Sequence, residues 1–121
     1  MTSGMIDVIR HGEIALVTLR RPPANAMNIE LTEEIASVFR GFGQDDEVRS
    51  VVLTGDGKSF CAGVDLKTVP TFDQGDQRRM VNALNLAFHS VYASPLPVVG
   101  AINGHAITGG LVLGGKAGAA A

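Results

Sequence analysis

Two short apolar runs, Ser50-Val51-Val52-Leu53-Thr54 and Val98-Val99-Gly100-Ala101-Ile102, each lead into a glycine-bearing turn, and a helical pattern lies between them. Each run is too short for a helix, is rich in β-branched residues and shows no polar alternation, which is the pattern of a strand buried on both faces of a parallel sheet. Parallel neighbours need a long crossover between them. The intervening chain supplies one: Met80, Leu84, Phe88, Val91 and Tyr92 share a helical face, and Pro95 and Pro97 close it. The polar stretch Thr68 to Gln77 before that pattern is expected to be a mobile loop.

The segment upstream repeats the alternation. Ile6-Asp7-Val8-Ile9 and Ile14-Ala15-Leu16-Val17-Thr18-Leu19 flank the turn-prone His11-Gly12-Glu13, which reads as a β-hairpin. Pro22 and Pro23 then remove backbone donors and fix φ, so the chain leaves the sheet as an ordered loop. Asn28 is placed to cap a helix in which Leu31, Ile35, Val38, Phe39 and Phe42 share a face, ending near Gly41 or Gly43. Strand and helix alternate throughout, so the expected class is α/β with mostly parallel strands and right-handed crossovers. From Gly114 to Ala121 the amphipathic pattern disappears, and glycines at 114, 115 and 118 each cost about 1 kcal/mol in a helix interior relative to alanine.

Composition removes several function classes. Twelve acidic against ten basic residues leave a net charge of −2 with no basic block, so nothing supports nucleic-acid binding. The most apolar stretch, Leu96 to Leu113, is interrupted by Asn103, Gly104, His105 and Gly109-Gly110, which argues against a membrane span. No leader pattern opens the chain, and a cytoplasmic location is the default expectation. Cys61 is the lone cysteine, so an internal disulfide and a cysteine-based metal site are excluded, and no metal is expected.

The two glycine-bearing turns carry the chemistry. Ser59-Phe60-Cys61-Ala62-Gly63-Val64-Asp65-Leu66 follows the first run, and Asn103-Gly104-His105-Ala106-Ile107-Thr108-Gly109-Gly110 follows the second. Ligands of open parallel sheets bind beyond the carboxyl ends of the strands, so both turns can face one site. Glycine at 63 and 109 lets backbone approach a ligand closely, and the amides of Val64 and Gly109 are placed to converge on one oxygen as an oxyanion hole. A helix opening at Gly109-Gly110 would add its dipole to that site.

These residues resemble the crotonase superfamily, the enoyl-CoA hydratases and isomerases. Residues 59 to 66 are similar to the family segment FxAGxDL, and Pro97 to Leu113 to its second signature, P(V/T)(V/I)AAxxGxAxGGG. Val17-Thr18-Leu19-Arg20-Arg21-Pro22 with Asn25-Ala26-Met27-Asn28 resembles the family's first strand and the loop lining its coenzyme A site. The resemblance implies a crotonase-like ββα superhelix over residues 6–113, cut short at its C-terminal side, with residues 114–121 as an atypical Gly/Ala-rich tail. It implies that the Val64 and Gly109 N–H groups polarise an acyl-CoA or enoyl-CoA thioester carbonyl and stabilise an enolate, as in β-oxidation of fatty acids. Ala24, Ala26, Met27, Ala62, Gly63, Asp65, Leu66 and Gly110 fall at substrate-binding positions. No separate cofactor is implied, coenzyme A being part of the substrate. The family forms homotrimers or hexamers through a C-terminal region that this sequence lacks.

One departure bears on activity. Family hydratases carry a glutamate three residues beyond the second oxyanion glycine, where this sequence has Val112, and a second glutamate in sequence that this chain does not contain. Proton transfer to or from carbon needs a positioned acid or base. The alternative to hydration or double-bond migration is therefore a non-catalytic remnant, from a truncated or split gene, that acts as a binding or partner subunit. Other residues have plainer readings: Asp65 as a helix cap, His105 as a satisfied structural histidine, Cys61 as an inert buried thiol. Gly57-Lys58-Ser59 imitates the end of a phosphate-binding loop but has Val52 where the first glycine belongs, and Gly55 to Phe60 lacks the third glycine of a dinucleotide fingerprint.

Overall fold

The computed structural model describes residues 2–106 and 119–120. Gly109, Gly110, Val112 and residues 114–118 lie outside the described residues, so the second turn is described only as far as Ala106. Among the described residues, eight strands and two α-helices follow in the order β1 (Thr2–Ser3), β2 (Ile6–His11), β3 (Ile14–Leu19), α1 (Ile29–Phe42), β4 (Ser50–Gly55), β5 (Ser59–Cys61), α2 (Gln74–Tyr92), β6 (Val98–Ala101), β7 (His105–Ala106) and β8 (Ala119–Ala120). The larger sheet is ordered β1-β2-β3-β4-β6-β8 and the smaller pairs β5 with β7. β2 and β3 form the expected antiparallel hairpin around Gly12, whose φ of 62° suits the tight connection. The β3–β4, β4–β6 and β6–β8 pairs are parallel.

One structural unit recurs. β4 lies in the large sheet, β5 in the small one, α2 returns the chain, and β6 and β7 then repeat the two placements beside β4 and β5. The preceding turn has the same course: β3 in the large sheet, then an isolated parallel bridge from Met27 to Val64 where a small-sheet strand would stand, then α1. Each ββα turn therefore advances one strand in both sheets, which is the superhelix implied by the resemblance.

The helices form where their caps and faces demand. The Asn28 side chain accepts from the Leu31 N–H at 2.8 Å, and α1 buries Leu31, Ile35, Ala36, Phe39 and Phe42 in one cluster with Val17, Leu19, Val51 and Leu53 of the sheet. Full burial of each large side chain contributes about 1.5–3 kcal/mol. Phe39 and Phe42 meet edge to face at 5.7 Å.

Several expectations change. The segment from Thr68 to Gln77 is not an irregular loop: a 3-10 turn spans Val69–Thr71, and a reciprocal capping box between Asp73 and Asp76 starts α2 at Gln74. Aspartate replaces the usual glutamate at the third helical position, so the signature is easily missed. The buried seam of α2 is Met80, Ala83, Ala87 and Val91, while Leu84 and Phe88 are half-buried and Tyr92 is exposed. Alanines at this contact, with Ala36 on α1, let the two helices lie close together. The strands are not buried on both faces either. Val51 and Leu53 are buried, but Val52 is half-buried and Val99 is 41% exposed, because the helices pack on the opposite face of the sheet.

Two glycines have opposite surroundings, which gives a paired prediction. A Cβ on Gly104 would overlap the backbone of Lys58, whereas one on Gly41, inside α1, meets nothing within 4 Å. Gly104→Ala should destabilise the chain by about 1–3 kcal/mol through forced backbone displacement. Gly41→Ala should stabilise it by about 0.5–1 kcal/mol through lower chain entropy and better helix propensity. Urea unfolding midpoints of the two variants check both signs.

Candidate functional site

The candidate site is built where β4 and β5 end. From Leu19 the chain enters the loop 20–27, and Asn25 at its centre is 1% exposed with φ at 56°. Asparagine tolerates this left-handed conformation better than most residues with a Cβ. Its Nδ2 donates to the carbonyls of Asp56 (3.1 Å), Ser59 (2.9 Å) and Phe60 (3.3 Å), and its Oδ1 accepts from the Arg21 N–H (2.8 Å).

The loop then grips the turn after β5 through its backbone. Ala62 N–H donates to Ala24 O (3.0 Å), Met27 N–H to Gly63 O (2.6 Å), and Asp65 N–H to Met27 O (3.0 Å). The last two are the bonds of a parallel bridge centred on Val64. In such a bridge the flanking residues face the partner, and the central residue's own N–H and C=O face away. Gly63, at φ 80°, is where the turn departs from regular strand geometry. The Val64 N–H consequently points away from the loop and has no acceptor among the described residues. A backbone donor held by three neighbouring hydrogen bonds and left unpaired is preorganised to bind an acceptor oxygen.

Side chains around this turn are committed to structure. Asp65 is 8% exposed; its carboxylate pairs with Arg21 Nη1 at 2.8 Å and accepts the Lys67 N–H at 2.9 Å. Burial opposes its ionisation, but the Lys67 N–H and the Arg21 guanidinium outweigh that and hold the carboxyl below its ordinary value. The same Arg21 nitrogen donates to Ala26 O at 2.8 Å, so one guanidinium ties loop to turn. Asp65 O also accepts from the amides of Thr68 and Val69, which makes the aspartate a cap for the turn that follows. Cys61 is fully buried, and burial pushes its thiol up to about 11 despite an opposing hydrogen bond from Gly63, leaving little thiolate.

The remaining sequence candidates are distributed around this frame. Ala24, Ala26 and Ala62 are half-buried at the loop–turn contact, Gly63 is buried, and the Met27 side chain is wholly within the hydrophobic core. Leu66 is 79% exposed. Gly109 and Gly110 lie outside the described residues. His105 is exposed on β7. Arg21 and Asn25 carry much of the site's polar structure and were not singled out from the sequence as site residues. An asparagine two residues past a proline pair was the one local signal, since asparagine suits left-handed turns. Among the described residues, no group of three or more acidic, histidine or cysteine side chains could hold a metal ion, and no helix is long and apolar enough to cross a membrane.

The sequence profile described as enoyl-CoA hydratase/isomerase matches residues 10–117. A probable enoyl-CoA hydratase of Mycobacterium bovis is 40% identical over 110 residues, covering 90% of this chain and 43% of that protein. Carnitinyl-CoA dehydratase of Citrobacter koseri is 36% identical over 112 residues, covering 92% and 42% respectively. The crystal structure of enoyl-CoA hydratase from Bacillus anthracis superposes with a TM-score of 0.85 at 32% identity, covering 92% of this chain and 44% of that one. The chain thus spans less than half the length of these relatives.

The Arg21–Asp65 pair predicts a pH dependence. A carboxyl whose folded pKa lies below its unfolded value contributes stability above the unfolded value, here 3.8, and loses it as pH falls from there through the folded value. Asp65→Asn should flatten the decline of unfolding free energy below that point, and should cost about 1–3 kcal/mol at neutral pH through the weakened charge-assisted bonds. Denaturant titrations of both chains across the acid range measure the two effects together.

Proposed function

The chain belongs to the enoyl-CoA hydratase/isomerase family, and from that premise we propose that it binds an acyl-CoA or enoyl-CoA thioester and polarises its carbonyl with the Val64 N–H. The observation that carries this reading is the unpaired Val64 amide, directed away from a loop that fixes it from both sides. A thioester oxygen gains negative charge as an enolate forms, and a donor already in place needs no reorganisation to meet it. By family resemblance the Gly109 N–H is the second donor. Loss of one such donor typically costs about 3–4 kcal/mol of transition-state stabilisation.

The substrate-binding surface in this reading comprises Ala24, Ala26, Met27, Ala62, Gly63, Asp65, Leu66 and Gly110, with the backbone of the first five near the carbonyl and the exposed Leu66 available to an acyl chain. Coenzyme A enters as part of the substrate, and no separate cofactor is needed. In a whole family protein the polarised thioester would undergo hydration or double-bond migration, and a cytoplasmic setting suits that metabolism.

Binding without turnover is the second reading, and the engagement of Asp65 favours it. That carboxylate is held ionised by Arg21 and the Lys67 N–H, so it is a poor general acid, and Val112 stands where family hydratases carry glutamate. In this reading the chain acts as a binding or partner subunit.

Calorimetric titration with butyryl-CoA should show saturable binding to the chain, retained in Val64→Ala. In Val64→Pro, which removes the N–H, the bound thioester's carbonyl infrared band should lose its shift. Absence of saturable binding to the wild-type chain would sink the proposal. Loss of absorbance from crotonyl-CoA would separate the two readings, hydration supporting the catalytic one.

A further inference from the structure

We propose that Asn25 is the positioning residue of the Val64 amide, an inference that rests on the reading of Val64 as a thioester donor. Asn25 stands between the two residues whose backbones hold the turn: Ala24 offers its carbonyl to Ala62, and Met27 brackets Val64 through Gly63 and Asp65. The backbone conformation at Asn25 therefore sets the relative direction of both grips. That conformation, at φ 56°, is stabilised by the residue's own side chain.

The amide does two things that no other side chain of its size combines. Its oxygen accepts the Arg21 N–H at 2.8 Å, closing the loop on itself. Its nitrogen donates to Asp56, Ser59 and Phe60, the carbonyls of the segment that runs from β4 into β5 and delivers the turn. A carboxylate would set a negative oxygen against those three carbonyls, and an alkyl group would leave them without a donor. The surroundings are shaped to the amide: a Cβ on Gly55 would stand 2.8 Å from Asn25 Nδ2 and also overlap the carbonyls of Ser59 and Phe60. The space beside β4 is kept open for the asparagine. Asn25 touches no substrate in this arrangement; it acts through the direction of the Val64 N–H, where a displacement of about 1 Å can cost on the order of 100-fold in rate.

The test compares Asn25→Gly with Val48→Ala in the full chain. Glycine accepts a positive φ and so deletes the four side-chain hydrogen bonds without opposing the backbone conformation. Val48 is buried 2% exposed, outside the loop and turn, and its truncation supplies a general loss of stability for comparison. Asn25→Ser, which retains a short polar group, takes the place of Asn25→Gly if that variant does not fold. In the ligand-free chain, amide hydrogen exchange at Ala62, Met27 and Asp65 should quicken in the Asn25 variant and stay at the wild-type rate, relative to global unfolding, in Val48→Ala. With butyryl-CoA labelled with 13C at the thioester carbonyl, wild type and Val48→Ala should shift the bound carbonyl band to lower frequency, and the Asn25 variant should lose most of that shift.

Unchanged exchange in the Asn25 variant overturns the inference whatever the ligand does. A full carbonyl shift in the Asn25 variant also overturns it, while leaving the thioester reading intact. A wild-type chain that binds butyryl-CoA without any carbonyl shift, or does not bind it, overturns the thioester reading and with it the role assigned to Asn25, even where the exchange result shows that the residue holds the turn.

Discussion

The amide of Asn25 is the contact on which the geometry of this site depends. It is buried, it sits in a left-handed backbone conformation, and it saturates carbonyls from a segment more than thirty residues away in sequence. Removing any one partner from such a group leaves another polar atom unpaired away from water, which costs more than the bond itself contributes. The network therefore specifies one arrangement of loop and turn much more strongly than it adds to overall stability. Arg21 reinforces it on the other side by bridging Ala26 O and Asp65.

A second asparagine performs the corresponding task one strand later. Asn103 follows β6, accepts from the Gly55 N–H at 3.2 Å and donates to Gly57 O at 2.9 Å, while Thr54 Oγ1 donates to Ala101 O at 2.8 Å. The exit of β4 is thus clamped between Asn25 on one side and Asn103 on the other. Gly104 permits the close approach of the two backbones there, since a Cβ would collide with Lys58. Parallel pairing makes this possible. β3, β4 and β6 all run the same way, so their carboxyl ends reach the same rim of the sheet and their turns can be cross-linked by short polar side chains.

How much of this could be read in the sequence follows from the range of the forces involved. The hairpin around Gly12, the Asn28 cap and the apolar face of α1 depend on neighbours a few residues away, and all are legible in the residue pattern. The start of α2 was legible in principle through Asp73 and Asp76, but a polar stretch with two aspartates looks the same in a loop as in a capping box. Its buried seam was harder still: Ala83 and Ala87 are weakly apolar, and only the closeness of α1 makes them core. The small sheet escaped periodicity altogether, because three residues in β5 and two in β7 are too few to show a period. At the site, Gly63 and Val64 were visible as a turn motif. Arg21 and Asn25 were not, since their partners at Asp65, Asp56, Ser59 and Phe60 are distant in sequence and the bonds are to backbone, which carries no residue signature.

Family membership and catalytic activity rest on different kinds of group in a site of this design. An oxyanion donor is a main-chain N–H, so the residue type at Val64 carries almost none of its chemistry; what must be preserved is the glycine that turns the chain and the polar frame that aims the amide. In this chain the glycine is Gly63, and the frame is built by Asn25, Arg21 and Asp65. Proton transfer, by contrast, resides in individual side chains of tuned pKa, and a single replacement removes it without disturbing the frame. Val112 is a replacement of that kind relative to family hydratases, and Asp65, the buried acid next to Val64, is already spent on Arg21. In the proposed reading a scaffold built this way loses its acid and still holds and polarises a thioester, because the two functions rest on different parts of the polypeptide.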